Sequence, residues 1–254
     1  MKILKTTKEL LNYRNSLTCN IGFVPTMGAL HQGHISLIKE SIEKNNHTIV
    51  SIFVNPTQFL AGEDFTTYPN RYEADLKICE LAGVDALFMP DINEVYFEDE
   101  PSIVAPMRQS YILEGYQRPK HFDGVLRVVL KLLNLTKPTN AYFGKKDAQQ
   151  LFLIQNMVKT LFINTTIVPC EIVRDEGGLA LSSRNAYSKE IMRGELHVKK
   201  IESKMQEVLK ELNVEYIAIT DRKFKKIEKI ELKNCMILVA AKVGKTRLID
   251  NIWI

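Results

Sequence analysis

Short β-rich runs alternate with helix-spaced apolar positions through the first two-thirds of the chain. Residues 21–25 predict a strand that runs into a glycine-containing turn, and 34–45 predict a helix with Ile35, Leu37, Ile38 and Ile42 at helical spacing. Residues 48–54 are nearly all apolar or β-branched, the pattern of a strand covered on both faces. A helix over 72–81 closes at Gly83, and a short third strand over 85–89 ends at Pro90. A strongly apolar helix over 124–135 is stopped by Pro138. A strand over 140–143, a helix over 148–162 and a strand over 165–168 follow, with a second short strand open at 171–173. Strands alternating with helices of this length require crossover connections and so a parallel sheet, which presents ligands outside the carboxyl ends of its strands.

The pattern changes after about Arg174. One long, heavily charged amphipathic helix is predicted over 189–212, then strand-like runs at 214–220 and 236–242 separated by a segment rich in Lys and Arg. The fold class expected is α/β, a doubly wound parallel sheet over residues 1–174 with a second, smaller α+β C-terminal domain over 175–254. There is no low-complexity linker and no internal repeat, so two closely packed parts are expected.

Composition narrows the chemistry. The 254 residues are 45% hydrophobic and 25% charged, the make-up of a soluble globular chain. Lys and Arg number 34 against 30 Asp and Glu, a net +4 that is too mild to argue for nucleic acid and suits a small anionic substrate. The longest apolar run, 236–241, falls far short of the roughly 18 residues of a membrane span. Lys2, Lys5 and Lys8 interrupt the N-terminus, which therefore lacks the continuous apolar core of a secretory signal. Cys19, Cys79, Cys170 and Cys235 stand far apart with no C-x-x-C, and read as reduced thiols of a cytoplasmic protein. Val243-Gly244-Lys245-Thr246 ends like a P-loop, but that loop needs a glycine where Val239 stands. The basic stretch after Arg222 is interleaved with Asp221, Glu228 and Glu231, and reads as a solvated face.

The chemistry concentrates in Pro25-Thr26-Met27-Gly28-Ala29-Leu30-His31-Gln32-Gly33-His34, between the first strand and the first helix. At that position an α/β fold offers backbone N–H groups to a phosphate. Two histidines three apart reach one side of the helix start, where they can donate hydrogen bonds to a triphosphate and stabilise charge on a leaving pyrophosphate. Gly33 would let the phosphate chain approach the backbone. The plainer alternative is a helix cap with two exposed histidines. A zinc site is not expected, because no Cys or acidic partner lies at ligand spacing. Asn55 and Gln58 follow the second strand, where amides can fix the hydroxyl and carboxylate groups of a small acid, although Gln58 could equally be an exposed loop amide. Gly144-Lys145-Lys146-Asp147 follows the fourth predicted strand with a cation for phosphate and a carboxylate for ribose or Mg²⁺. Ser182-Ser183-Arg184 supplies two hydroxyls and a guanidinium, and without the upstream histidines would read as a surface turn.

These residues resemble the HIGH-type signature of the nucleotidylyltransferase superfamily, and in the form P-T-M-G-A-L-H-x-G-H they resemble the pantothenate synthetase family. Further motifs in the family's order are 53–59 (F-V-N-P-T-Q-F), Tyr68-Pro69 with Asp75, Leu113-Glu114-Gly115, Arg118-Pro119, His121-Phe122-x-Gly124-Val125, 143–147 with Gln149 and Gln150, 181–185 (L-S-S-R-N) and 246–251 (T-R-L-I-D-N). The resemblance spans essentially the whole chain. It implies a Rossmann-like nucleotide- and pantoate-binding domain with a C-terminal lid, and an ATP-dependent condensation of (R)-pantoate with β-alanine through a pantoyl-adenylate. It implies ATP as substrate, Mg²⁺ beside it, a homodimer and a cytoplasmic location, with no nucleic-acid or membrane partner. By resemblance His34 donates a proton to the leaving pyrophosphate, while His31, Lys146, Ser182, Ser183 and Arg184 share the catalysis. Met27, Gly28, Ala29, Leu30, Gln32, Gly33, Gly144, Lys145, Asp147, Val173 and Leu181 complete the ATP site. Gln58, Gln150 and Asn55 face pantoate, and Asp75 lies near the metal, although a simple exposed helix acid competes for Asp75. Arg118, His121 and Arg127 could add positive field over the pocket.

The chain departs from the family pattern in three places. Lys145 stands for the usual Glu, with altered local charge expected, Lys120 stands for Gly in the R-P-G-H-F run, and the C-terminal region is short. Two rivals remain: an adenylyltransferase acting on a phosphate, and a non-catalytic nucleotide- or RNA-binding protein on a retired synthetase fold.

Overall fold

A computed structural model describes residues 1–173, 196–244 and 246–254 of the chain. Two compact units divide it: Met1–Lys145 with Gln149–Val173, and Lys146–Ala148 with the C-terminal part of the chain.

In the first unit six parallel strands take the order β1-β4-β3-β2-β5-β6. They are β1 (Lys2–Leu4), β2 (Ile21–Thr26), β3 (His47–Ile52), β4 (Ala86–Phe88), β5 (Asn140–Gly144) and β6 (Thr166–Cys170). The chain fills one side of β2 first and then crosses to β5 on the other, so strand order reverses between β2 and β5. In open α/β sheets that reversal opens a crevice at the carboxyl edge. Here the reversal falls between β2, which ends at Thr26, and β5, which ends at Gly144.

The pleat sorts the core. Val24, Val50 and Leu87 share register across β2, β3 and β4, and all three are buried with Leu37 and Ile38 of α2 (Gln32–Lys44) and Cys79 of α3 (Tyr72–Ala82). Cys170 and Tyr142 belong to the same cluster. Successive side chains alternate faces, so Phe23 and Ile49, fully buried, face the other way. Helices α1 (Thr7–Asn15) and α7 (His121–Thr136) pack on each other; α1 buries Leu10, and α7 buries Phe122, Val125, Leu126, Val128, Val129, Leu132 and Leu133. Between α3 and α7 lie single-turn helices α4 (Ile92–Val95), α5 (Met107–Ser110) and α6 (Glu114–Gln117). Helix α8 (Ala148–Thr160) crosses from β5 to β6.

β2 and α2 approach closely at Gly22. A Cβ there would lie 2.1 Å from Ser41 Oγ and 2.6 Å from Asn45 Nδ2. Both partners belong to a buried polar seam: Ser41 bonds Thr48 at 2.9 Å, and Asn45 donates to Tyr142 Oη at 2.6 Å and accepts from Asn140 Nδ2 at 2.8 Å.

The second unit carries an antiparallel sheet in the order β7-β8-β9, formed by Asn213–Asp221, Cys235–Val243 and Thr246–Trp253. Helix α9 (Val198–Val208) buries Val198, Ile201 and Met205 against Ile219, Cys235 and Ile237.

Several boundaries differ from the sequence reading. The expected helix over 189–212 does not run through: 189–195 lie outside the described residues, His197 pairs with Lys229 in an isolated antiparallel bridge, and the helix ends at Val208. His197 is the N-cap, its carbonyl accepting from Ile201 N at 3.3 Å, so the helix starts only at Val198. Residues 171–173 form no second strand, because β6 is already spent at Cys170. β1, α1 and β9 add elements the periodicity did not announce.

Gly22→Ala is expected to destabilise the fold by about 2 kcal/mol or more, since the added methyl must displace a hydrogen-bonded seam rather than a flexible tip. Urea denaturation of the two proteins reads this as a lower midpoint.

Candidate active site

The segment after β2 is held by one carboxylate. Asp75, 2% exposed on α3, accepts the backbone N–H of Ala29 at Oδ2 and of Leu30 at Oδ1, both at 2.8 Å. Ala29 and Gly28 have left-handed backbones, φ 51° and 84°. At Gly28 a Cβ would stand 3.0 Å from both Asp75 Oδ2 and Ile52 Cγ2, so the turn and its anchor leave room only for glycine. Thr26 Oγ1 closes the base of the turn, donating to Ser51 O at 2.7 Å and accepting from Gly28 N at 3.3 Å. The metal role expected for Asp75 therefore does not fit. Its oxygens are buried and engaged by backbone N–H groups, and it anchors the loop instead.

The loop delivers the histidines to the start of α2. His31 is the N-cap residue, and its Nδ1 accepts from Gly33 N at 3.1 Å. His34 Nδ1 accepts from His31 N at 3.4 Å, which completes a reciprocal capping box built from imidazoles. The rings stand 4.1 Å apart between centroids. An imidazole that accepts at Nδ1 carries its proton on Nε2 when neutral, so the caps fix both rings as Nε2–H donors. Gly33 has a structural part of its own: a Cβ would lie 2.9 Å from His31 Cε1, so the glycine makes room for the folded-back ring. The helix cap expected as the plainer alternative is what these side chains form, with His31 exposed and His34 half-buried. Met27 is half-buried, Leu30 is buried and Gln32 is exposed.

After β3, the amides are organised differently from the expectation. Asn55 is 1% exposed and fully occupied. Its Oδ1 accepts from Tyr96 Oη at 2.6 Å, Thr57 Oγ1 at 2.9 Å and Thr57 N at 3.3 Å, and its Nδ2 donates to Gly124 O at 3.2 Å and Gln58 Oε1 at 3.0 Å. It is a positioning residue rather than a substrate contact. Gln58, half-buried, accepts at Oε1 from Asn55 and donates from Nε2 to Met27 Sδ at 3.1 Å, so the amide is held with its NH₂ end toward the histidine loop. The turn Pro56–Gln58 lies directly on α7: a Cβ on Gly124 would come within 2.3 Å of Thr57 O.

Arg118 and His121 do not add open positive field. Arg118 meets Glu63 through Nε–Oε1 at 2.8 Å and Nη2–Oε2 at 2.6 Å, a two-pronged ion pair. His121 Nδ1 donates to Gln58 O at 2.8 Å, and Nε2 lies 3.2 Å from Arg118 Nη1. Burial first, and then the Arg118 charge, push the His121 imidazole below its ordinary range. Burial would raise the Glu63 carboxyl, but hydrogen bonds from Arg118 and Leu60 N outweigh it and hold the carboxyl below its usual range. Arg127 pairs with Glu100 at 2.6 Å, and Lys131 with the same carboxylate at 2.5 Å. These pairs neutralise the cations locally.

On the other side of the strand-order reversal, Gly144 ends β5 and Lys145 pairs with Glu171, so the unusual lysine has an acidic partner at the end of the neighbouring strand. Lys146 Nζ lies 3.8 Å from Asp147 Oδ1, both side chains about half exposed. Gln150 is half-buried on the first turn of α8. Its neighbour Gln149, 3% exposed, accepts from Glu114 N at 3.1 Å and donates to Gln109 O and Ile112 O, and so secures the chain before α6. Val173 is exposed. Leu181, Ser182, Ser183 and Arg184 lie outside the described residues. The sequence reading missed Thr26, Glu63, Tyr96 and Glu100, whose partners are set by tertiary contact and carry no local signature. Gly124 within H-F-x-G-V was the one local hint.

Paired donors on one lip of a strand-order reversal and a lysine-bearing strand end on the other describe an α/β enzyme that activates substrates with a nucleotide. The pattern of the Pantoate-beta-alanine ligase family matches residues 2–253. Pantothenate synthetase of Campylobacter curvus (strain 525.92) is 57% identical over 273 aligned positions, and that of Helicobacter pylori (strain G27) 49% over 276, each covering both chains completely. Among solved structures, pantothenate synthetase from Thermus thermophilus superposes with a TM-score of 0.92 at 34% identity, over 100% of this chain and 99% of that one. A pantoate-beta-alanine ligase from Francisella tularensis, complexed with beta-gamma ATP and beta-alanine, gives 0.81 at 42% identity, over 100% and 97%. The chain belongs to the pantoate–β-alanine ligase family and is a ligase.

Asp75→Asn is expected to set an amide N–H against a backbone N–H, cost about 1–3 kcal/mol of stability and lower activity. An anchoring role predicts an unchanged Mg²⁺ dependence in the surviving activity, measured by Mg²⁺ titration at fixed ATP. The loop over α7 also sets the response to acid. As pH falls below His121's ordinary 6.5, the unfolded chain takes up a proton that the folded chain refuses, so stability declines; Glu63 adds a second decline below its ordinary 4.5. Urea midpoints across pH should show the first decline flattened in His121→Asn and the second retained.

Proposed function

We propose that the residues gathered at the carboxyl edge of β2, β3 and β5 condense pantoate with β-alanine in two steps, with ATP cleaved to AMP and pyrophosphate. A pantoate carboxylate oxygen attacks the α-phosphorus, and the bond from that phosphorus to the bridging oxygen breaks. The β-alanine amine then attacks the acyl carbon of the adenylate, AMP leaves and the amine gives up a proton. Little of this needs covalent participation by the protein, so orientation and charge stabilisation carry the rate.

The observation that carries the reading is the histidine capping box at the start of α2. Its geometry makes both rings Nε2–H donors beside the first-turn N–H groups, the arrangement that suits a triphosphate. His34, the proton donor of the pair, gives its Nε2–H hydrogen bond to the bridging oxygen as pyrophosphate departs and stabilises the charge that builds there without itself ionising. His31 and Lys146 meet the phosphate oxygens, and Ser182, Ser183 and Arg184 complete that set. Met27, Gly28, Ala29, Leu30, Gln32, Gly33, Gly144, Lys145, Asp147, Val173 and Leu181 form the remaining nucleotide surface. Gln58 and Gln150 hold pantoate. Mg²⁺ enters with ATP as part of the substrate; among the described residues no three His, Cys, Asp or Glu side chains gather to hold a metal. Residues 1–174 bind nucleotide and pantoate, and 175–254 act as a lid that keeps water from the adenylate. The resemblance carries with it a homodimer and a cytoplasmic site of action. Among the described residues no helix is long and apolar enough to cross a membrane.

AMP release from ATP should require pantoate and β-alanine together, and His34→Ala should lower its rate roughly 10²-fold or more. Pyrophosphate exchange that runs with a phosphorylated acceptor and fails with pantoate would replace this reading by an adenylyltransferase.

A further inference from the structure

Behind Gln58 stands a polar chain that leads to a half-buried charge cluster. Tyr96 Oη donates to Asn55 Oδ1 at 2.6 Å and lies 3.0 Å from Thr57 Oγ1. Arg127 and Lys131 each stand 5.2 Å from the Tyr96 ring centroid, and both are paired to Glu100. Cations against the ring withdraw charge from it and make the phenol a better donor. Burial raises the Tyr96 phenol above its ordinary range, so it keeps the proton that it donates.

The direction of each bond in the chain is settled by backbone groups. Thr57 N can only donate, so it must face Asn55 Oδ1; Gly124 O can only accept, so it must face Asn55 Nδ2. With the amide of Asn55 fixed, its remaining Nδ2 proton goes to Gln58 Oε1, and Gln58 is left to present N–H. Each acceptor that takes a strong donor makes the next N–H a stronger donor in turn. Among the described residues, Tyr96 is the outermost donor of this relay and the side chain that links it to the Glu100 cluster.

We infer that Tyr96 is a positioning residue for the acid substrate: through Asn55 it holds and polarises the Gln58 amide as a hydrogen-bond donor to an oxygen of pantoate. The inference rests on the proposed place of Gln58 in the pantoate pocket. It adds that Gln58 acts there as a donor and that a residue with no place in the pocket sets how well it does so. Loss of the Tyr96 hydroxyl leaves Asn55 Oδ1 with both Thr57 donors, so the turn keeps its shape while the relay weakens.

Steady-state kinetics of the full chain test this, with pantoate, ATP and β-alanine each varied. Tyr96→Phe should raise the KM for pantoate about fivefold or more, the effect of losing one buried hydrogen bond, while the KM for ATP stays within about twofold. Thr57→Val, which removes the other hydroxyl from Asn55 Oδ1, should move the pantoate KM in the same direction. In a Gln58→Ala background Tyr96→Phe should add nothing, because the relay then ends on no amide. An unchanged pantoate KM in both Tyr96→Phe and Thr57→Val overturns the inference. So does a rise shared equally by pantoate and ATP, or effects of Tyr96→Phe and Gln58→Ala that multiply. Gln58→Ala tells the two failures apart. If it raises the pantoate KM and Tyr96→Phe does not, the pocket stands and the relay falls; if it leaves the KM unchanged, both fall.

Discussion

Two hydrogen bonds from backbone to carboxylate support nearly everything at the carboxyl edge of the sheet. Ala29 and Leu30 present their N–H groups to Asp75, and that contact holds a left-handed turn which an unanchored chain would abandon. The turn sets where α2 begins, the beginning of α2 sets the capping box, and the capping box sets which nitrogen of each histidine carries a proton. An acid 46 positions downstream thus decides the protonation geometry of the histidines without touching either of them.

Charge is handled pairwise around this edge. Arg118 is matched by Glu63, Arg127 and Lys131 by Glu100, and Lys145 by Glu171. The modest net charge of the chain hides the fact that much of its basic side-chain content near the site stiffens loops. Glu100 illustrates the physics: a carboxylate with only 9% of its side chain exposed keeps its charge because two cations and a backbone N–H compensate its burial. What reaches outward at the nucleotide lip is then a small set of donors with fixed directions. That suits a reaction in which charge moves along a phosphate chain.

The parts of the fold with strong local patterns were legible from sequence. The apolar runs of β2 and β3, the helix stop at Gly83 and the crossover rhythm all led to a parallel sheet, because each reflects a burial requirement that acts over a few residues. β1 escaped notice since three residues are too few for a period, although Thr6 and Glu9 spell the capping box that begins α1. The long charged helix was overextended because amphipathic spacing says nothing of a backbone bridge at His197. At the site, the histidines and lysines were readable from their place after strands. Asp75 and Asn55 were assigned to ligands because their chemistry allows it; only the tertiary contacts reveal that both are buried and that each carboxylate oxygen of Asp75, and both ends of the Asn55 amide, are engaged by the protein. Partner choice of this kind depends on which distant segments meet, and no window of sequence contains it.

Cys79 and Cys170 sit in the apolar cluster beneath the histidine loop, and burial pushes both thiols up to about 12. Oxidants and alkylating agents attack the thiolate, which is then scarce near neutral pH. The supports of the site are in that sense chemically silent. Cys19 is exposed, in the stretch that enters β2 at the opposite end of the strand from the histidine loop. A sulfur modified there would sit a full strand length from the reacting groups, so oxidative damage and thiol labels should be recorded by this molecule without being felt at its chemistry.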